Sequence, residues 1–144
     1  MSYRLHFTVW QFVRLCVRLE EEIAARGDLD SSLDAAAAKT LFDAWGDIWT
    51  EVDGELARLA EEDFPAYAEM MMDRDVVIED VPAEQVKTCV ALLDAVIADM
   101  DATLKHGGDE DLIKNLTFER QELSELKADL ATRARKTERT PPRG

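Results

Sequence analysis

The sequence contains few of the residues from which catalytic and metal-binding sites are usually built. It has two histidines and two cysteines among its 144 residues. His6 and His106 belong to no HxxxH, ExxH or HxE arrangement, which excludes the usual zinc and di-iron signatures of helical proteins. The pair Gly107 and Gly108 is followed by three acids, which would repel a phosphate group. We therefore expect a protein that is not an enzyme and that holds no cofactor and no metal.

Cysteine is also too sparse for a disulfide framework, and no apolar run is long enough to cross a membrane. Cys16 and Cys89 lie far apart in apolar stretches, so both are expected to be reduced core residues of a cytoplasmic protein. Every apolar run is shorter than the roughly 20 residues that a membrane helix needs. His6, Gln11 and Arg14 interrupt the first apolar segment, which does not have the form of a secretory signal. We expect no membrane association.

Proline and glycine are scarce, and the apolar residues recur mostly at helical spacing. Four prolines and six glycines are few for an all-β chain, while 47% apolar residues are enough to build a core. The sequence predicts an all-α fold, an antiparallel four-helix bundle with an additional short helix after Pro65. We expect one domain over residues 1–136 and a disordered basic tail over residues 137–144.

The first helix is expected to run from Tyr3 to about Arg26. The alternation of apolar residues over positions 3–9 is also typical of a strand, which could pair with residues 76–78. We favour the helix because an isolated two-stranded ribbon is only marginally stable. The second helix is expected from Ser31, which opens a capping box, to Asp63. Since it would be longer than its neighbours, we expect it to bend near Gly46 or Gly54, or to use its excess length in an interface.

The later helices have clearer boundaries. Residues 70–72 are three consecutive methionines that cannot all face one core, so at least one is expected to be exposed. Pro82 precedes a third helix with a regular apolar face, and Gly107 follows its end. Acids at positions 109–111 begin a fourth helix, whose seam is formed by Leu116, Leu123 and Leu130. The last apolar aromatic of the chain, at position 118, lies off that seam.

The charge is strongly acidic and unevenly distributed. Lysine and arginine total 17 against 31 aspartates and glutamates, which gives a formal net charge of -14. Residues 1–19 carry +3 and residues 133–144 carry +4, which leaves -21 on residues 20–132. Because nucleic-acid affinity depends on basic side chains that neutralise phosphates, we expect no direct nucleic-acid binding.

Aromatic residues of the first two helices are the strongest candidates for a contact surface. They lie at the margin of the apolar stripes, where aromatics either fill a core or anchor a partner. The candidate interface residues are Tyr3, Phe7, Trp10, Phe42, Trp45 and Trp49. We expect a non-enzymatic interaction protein that associates with itself through helices 1 and 2, because two-fold dimers are the commonest oligomers.

Two alternatives remain open at the level of the sequence. The acidic body could belong to an inhibitor, an immunity-type protein or a nucleic-acid mimic that binds a basic site on another protein. Alternatively, carboxylates inside the bundle could bind a metal ion or a ligand, although acids on the outer faces of helices are usually a solvated surface.

Overall fold

The computed structural model describes residues 2–25 and 34–139. In chain order its elements are β1 (Ser2–Thr8), α1 (Val9–Ala25), α2 (Ala35–Glu62), α3 (Phe64–Asp73), β2 (Asp75–Pro82), α4 (Ala83–Lys105) and α5 (Glu110–Arg139). The described chain is mostly helical, and β1 and β2 form a small two-stranded sheet. The all-helical prediction is therefore confirmed in its coarse form only. The short helix expected after Pro65 is α3, which begins at Phe64 and so includes the proline.

Residues expected to open the first helix instead form one strand of a β-ribbon. β1 and β2 pair antiparallel, with Leu5 opposite Ile78 and Phe7 opposite Val76. The ribbon is not isolated, because these four side chains are buried in the same core as the helices. Burial of one face supplies the stability that a free two-stranded ribbon lacks. The helical prediction for residues 3–8 is wrong for this reason.

α2 begins later than the capping pattern suggested. Asp34 is its N-cap, and the side chain accepts a hydrogen bond from the backbone N–H of Ala37. Aspartate is favoured at this position because it satisfies a backbone donor of the first turn. The predicted cap at Ser31 lies outside the described residues. α2 contains 28 residues and α5 contains 30, so α2 is not the longest helix of the described chain.

A single aspartate separates α2 from α3. Asp63 ends α2, and its side chain accepts a hydrogen bond from the backbone N–H of Ala66 at 3.2 Å. Pro65 lies in the first turn of α3, where a missing N–H costs no helical hydrogen bond. The predicted helix break at this point is confirmed, and α3 starts immediately after α2.

α4 and α5 pack against each other and have the predicted seam. α4 begins after Pro82, and the chain reverses at Gly107, which has a φ of 73°. Leu116, Leu123 and Leu130 of α5 are each at most 9% exposed. α5 continues through residues 137–139, which were expected to belong to the disordered tail. Residues 140–144 of that tail lie outside the described residues.

Candidate interaction surfaces

The six aromatic residues proposed from the sequence as an interface lie in or against the core. Three are buried at 8% exposure or less, namely Phe7, Trp10 and Trp45. The other three are partly buried and pack against the same core, namely Tyr3, Phe42 and Trp49. The buried three have almost no surface left for a partner, so the set does not form one exposed patch.

Trp49 already makes its polar and aromatic contacts within the chain. Its indole Nε1 donates a hydrogen bond to Glu20 at 3.2 Å. Its ring meets Phe12 edge-on, with 6.3 Å between ring centroids, and Phe12 also lies 5.5 Å from Trp45. Trp49 therefore joins α2 to α1.

A groove with a volume of about 440 Å³ lies among α1, α4 and α5. α4 packs against both of the other helices. The apolar part of the lining includes Val13 and Val17 of α1, Val96 and Met100 of α4, and Leu116 of α5. A groove of this volume with apolar walls resembles many ligand pockets. The polar side chains that line it therefore determine which ligand it could bind.

Two arginines of α1, Arg14 and Arg18, line this groove. Each of them binds at least one carboxylate of the same chain. Arg14 donates to Glu119 of α5 at 2.7 Å. Arg18 binds Glu22 at 3.0 Å and Asp99 of α4 at 2.5 Å. The Arg18 and Glu22 side chains are only 11% and 1% exposed. These ion pairs link α1 to its neighbours and leave no arginine side chain of the groove without a carboxylate.

α3 carries two of the most exposed large apolar side chains of the described residues. Phe64 and Met72 are each 65% exposed, and the ring of Phe64 stacks on Tyr67 at 5.6 Å. Ala68 is also exposed, and the spacing of these residues by three or four places them on one side of the helix. We call Phe64, Tyr67, Ala68 and Met72 the apolar strip. The exposure of Met72 confirms the prediction for the methionine run, whereas the exposure of Phe64 has no counterpart among the predictions from the sequence.

The chain around the apolar strip carries much of the negative charge. Residues 34–82 contain 14 acids and three basic residues, a net charge of -11. Lys39 and Arg58 of α2 pair with Asp43 and Glu62, and Arg74, which follows α3, pairs with Glu55. Glu69 and Asp73 of α3 are exposed, and neither pairs with any basic residue of the described chain. The α2–α3 side therefore carries carboxylates that no cation of the described residues neutralises.

A cleft with a volume of about 420 Å³ separates α2 from α3 on this side. Its lining includes three carboxylates, those of Glu55, Glu69 and Asp73. Leu59 and Met70 supply apolar walls. Arg74 also lines the cleft and binds Glu55 at 2.9 Å, whereas the two carboxylates of α3 pair with no cation within the described part of the chain.

Burial and pairing shift the pKa of several ionisable groups outside these surfaces. Burial raises the pKa of the Cys89 thiol to about 12, and burial also raises the pKa of Cys16. A hydrogen bond from Arg120 holds the pKa of the Asp101 carboxyl below its usual range. Within residues 2–25 and 34–139, no group of three or more His, Cys, Asp and Glu side chains is placed to hold a metal ion. No helix of these residues is long and apolar enough to span a membrane.

No protein-family model, no curated protein and no solved structure matches this chain.

Proposed function

We propose that the protein is a non-enzymatic interaction protein that binds another protein through the apolar strip of α3. The observation that carries the proposal is the 65% exposure of both Phe64 and Met72 on one side of one helix. Full burial of such a side chain stabilises by about 1.5 to 3 kcal/mol, so covering the exposed part would contribute about 1 to 2 kcal/mol per residue. Aromatic residues at such a position are frequent anchors of protein interfaces.

A different protein fits this surface better than a second copy, a membrane or a nucleic acid does. A two-fold dimer brings the same patch of both subunits together. It would place Glu69 and Asp73 near the same acids of the other copy, and like charges oppose such a contact. The phosphates of nucleic acids and anionic lipids meet the same repulsion.

A photo-activated cross-linker tests the proposal when it replaces Ala68, which lies between Phe64 and Met72 on the exposed side of α3. We expect cross-linking in the native cell to give an adduct with one other protein. The adduct should disappear when Phe64 and Met72 are both changed to serine.

The matched control for this experiment is Phe118 of α5, which is 64% exposed and lies outside the strip. Phe118→Ser should leave the adduct unchanged. Equal losses from the Phe118 and strip substitutions, or an adduct of twice the mass of this chain, would contradict the proposal.

Self-association through the surface predicted for helices 1 and 2, which comprises β1, α1 and α2 in the structure, is the second candidate. Its support is the partial exposure of Tyr3, Phe42 and Trp49, which pack at the margin of the core. Light scattering over a range of concentrations tests it. A mass near 16 kDa at every concentration would refute it, and a mass that doubles with concentration would favour it.

We further propose that the four longer helices form an antiparallel bundle and that the protein is cytoplasmic. The contacts of α1 with α2, of α1 with α4 and of α4 with α5 support the bundle. The two buried, free cysteines are in keeping with a reducing compartment. In this arrangement the outer side of α3 stays accessible to a partner.

A further inference from the structure

We propose that the cleft between α2 and α3 receives a lysine or arginine side chain of the partner that docks on the apolar strip. The inference rests on the proposed function and names the chemistry of the partner. It predicts a partner segment with apolar residues on one side and a basic residue beside them.

The cleft is lined by both apolar and acidic side chains, which suit the apolar stem and the charged end of a lysine or arginine. Leu59 and Met70 offer apolar contact to the methylene stem. Glu69 and Asp73 offer carboxylates to the charged end, and no cation of the described chain pairs with either of them. A lysine or arginine of a partner would supply the missing positive charge.

The placement of these two acids also disfavours a purely structural role for them. Glu69 and Asp73 are four residues apart on one helix, where like charges are neighbours and destabilise the helix by roughly 0.2 to 0.5 kcal/mol. Asp73 lies in the last turn of α3, where the helix dipole favours a positive charge instead. A bound cationic side chain would remove both penalties.

The strip and the cleft lie on adjacent sides of α3, so one partner segment can reach both. Each acid directly follows a strip residue in the chain, Glu69 after Ala68 and Asp73 after Met72. Successive residues of an α-helix are separated by 100° around its axis. A segment laid along α3 with its apolar side on the strip therefore has its flank beside the cleft.

A set of three peptides tests the inference on the full chain. Each is an amphipathic helix of about 18 residues with leucines on one face. The flanking residues are lysine in the first peptide, glutamine in the second and glutamate in the third. Binding is measured at low and high salt by NMR titration of the labelled protein.

The lysine peptide should bind most tightly, and its advantage over the glutamine peptide should shrink at high salt because screening weakens exposed charge pairs. Changing both cleft acids, Glu69→Gln and Asp73→Asn, should weaken lysine-peptide binding about three- to tenfold at low salt. It should leave the glutamine peptide unaffected.

The matched control is the pair Asp47→Asn and Glu51→Gln on α2, which removes the same charge at the same spacing outside this cleft. On a logarithmic scale of affinity, this pair should weaken lysine-peptide binding by less than half as much as the substitutions of Glu69 and Asp73 do. Equal effects of the two pairs would mean that total charge, and not the cleft, selects the peptide, and would overturn the inference.

The remaining outcomes separate the inference from the proposed function. Equal binding of the lysine and glutamine peptides, abolished by serine at Phe64 and Met72, would overturn the cleft proposal and leave the strip as the interface. Binding that is indifferent to those serine substitutions, or no binding of any peptide, would overturn both. Lysine-peptide binding that appears only after deletion of residues 137–144 would assign the cleft to the chain's own basic tail and overturn the inference.

Discussion

Replacing Arg18 by methionine is expected to destabilise the protein by about 1.5 to 3 kcal/mol, the range for hydrogen bonds to a charged group. The loss comes mainly from Glu22, because its carboxylate is 1% exposed and would lose the guanidinium that binds it at 3.0 Å. Asp99 is 56% exposed, so the loss of its contact should contribute less than about 1 kcal/mol. Methionine preserves most of the apolar stem of the arginine, which limits the change to the charged group.

Urea denaturation followed by tryptophan fluorescence measures this effect, since Trp45 is buried and reports the loss of the core. Arg14→Met is the matched control on the same helix, because the Arg14 and Glu119 side chains are 41% and 29% exposed, and it should cost less than about 1 kcal/mol. The double variant Arg18→Met with Glu22→Leu should recover most of the loss. Equal losses for Arg14→Met and Arg18→Met would refute the assignment of a buried ion pair.

Three further predictions concern backbone, capping and thiol chemistry. Gly46→Ala and Gly54→Ala should each stabilise the protein by up to about 1 kcal/mol in the same urea assay, because a Cβ at either position meets nothing within 4 Å. A loss of stability would instead indicate a helix distortion that needs glycine. Asp63→Ala should cost about 1 kcal/mol through loss of the α3 cap, measured as a shift of the urea midpoint, and an unchanged midpoint would refute the capping role. Cys16 and Cys89 should react with a thiol reagent at neutral pH only on unfolding, because both are buried and their thiol pKa values are raised; rapid reaction of the folded protein would contradict this.

Helical segments with regular patterns could be predicted from the sequence, whereas the β-ribbon could not. α4 has its apolar residues on one helical face between Pro82 and Gly107, and the structure confirms both ends. Predicting the ribbon would have required knowledge of its tertiary contacts. The alternation of apolar residues that ends at Val9 is also compatible with a helix. Only the burial of Leu5 and Phe7 against the helices decides between the two.

Candidate surfaces were harder to predict, because exposure depends on where the helices pack. The spacing of the aromatics in the first two predicted helices indicates a possible interface, but Trp45 is buried in the core. Phe64 lies between Asp63 and Pro65 at the junction of two helices, a position that gives no periodic signal. The unpaired acids of the cleft could not be identified at all, since pairing depends on which helices face each other.

Hydrogen exchange of the protein, alone and bound to its native partner, tests whether α3 is the contact surface. Amide exchange should be slower in residues 64–73 of the complex and unchanged around Phe118. Protection centred on α1 and α2, with residues 64–73 unaffected, would contradict the assignment of α3 as the contact surface.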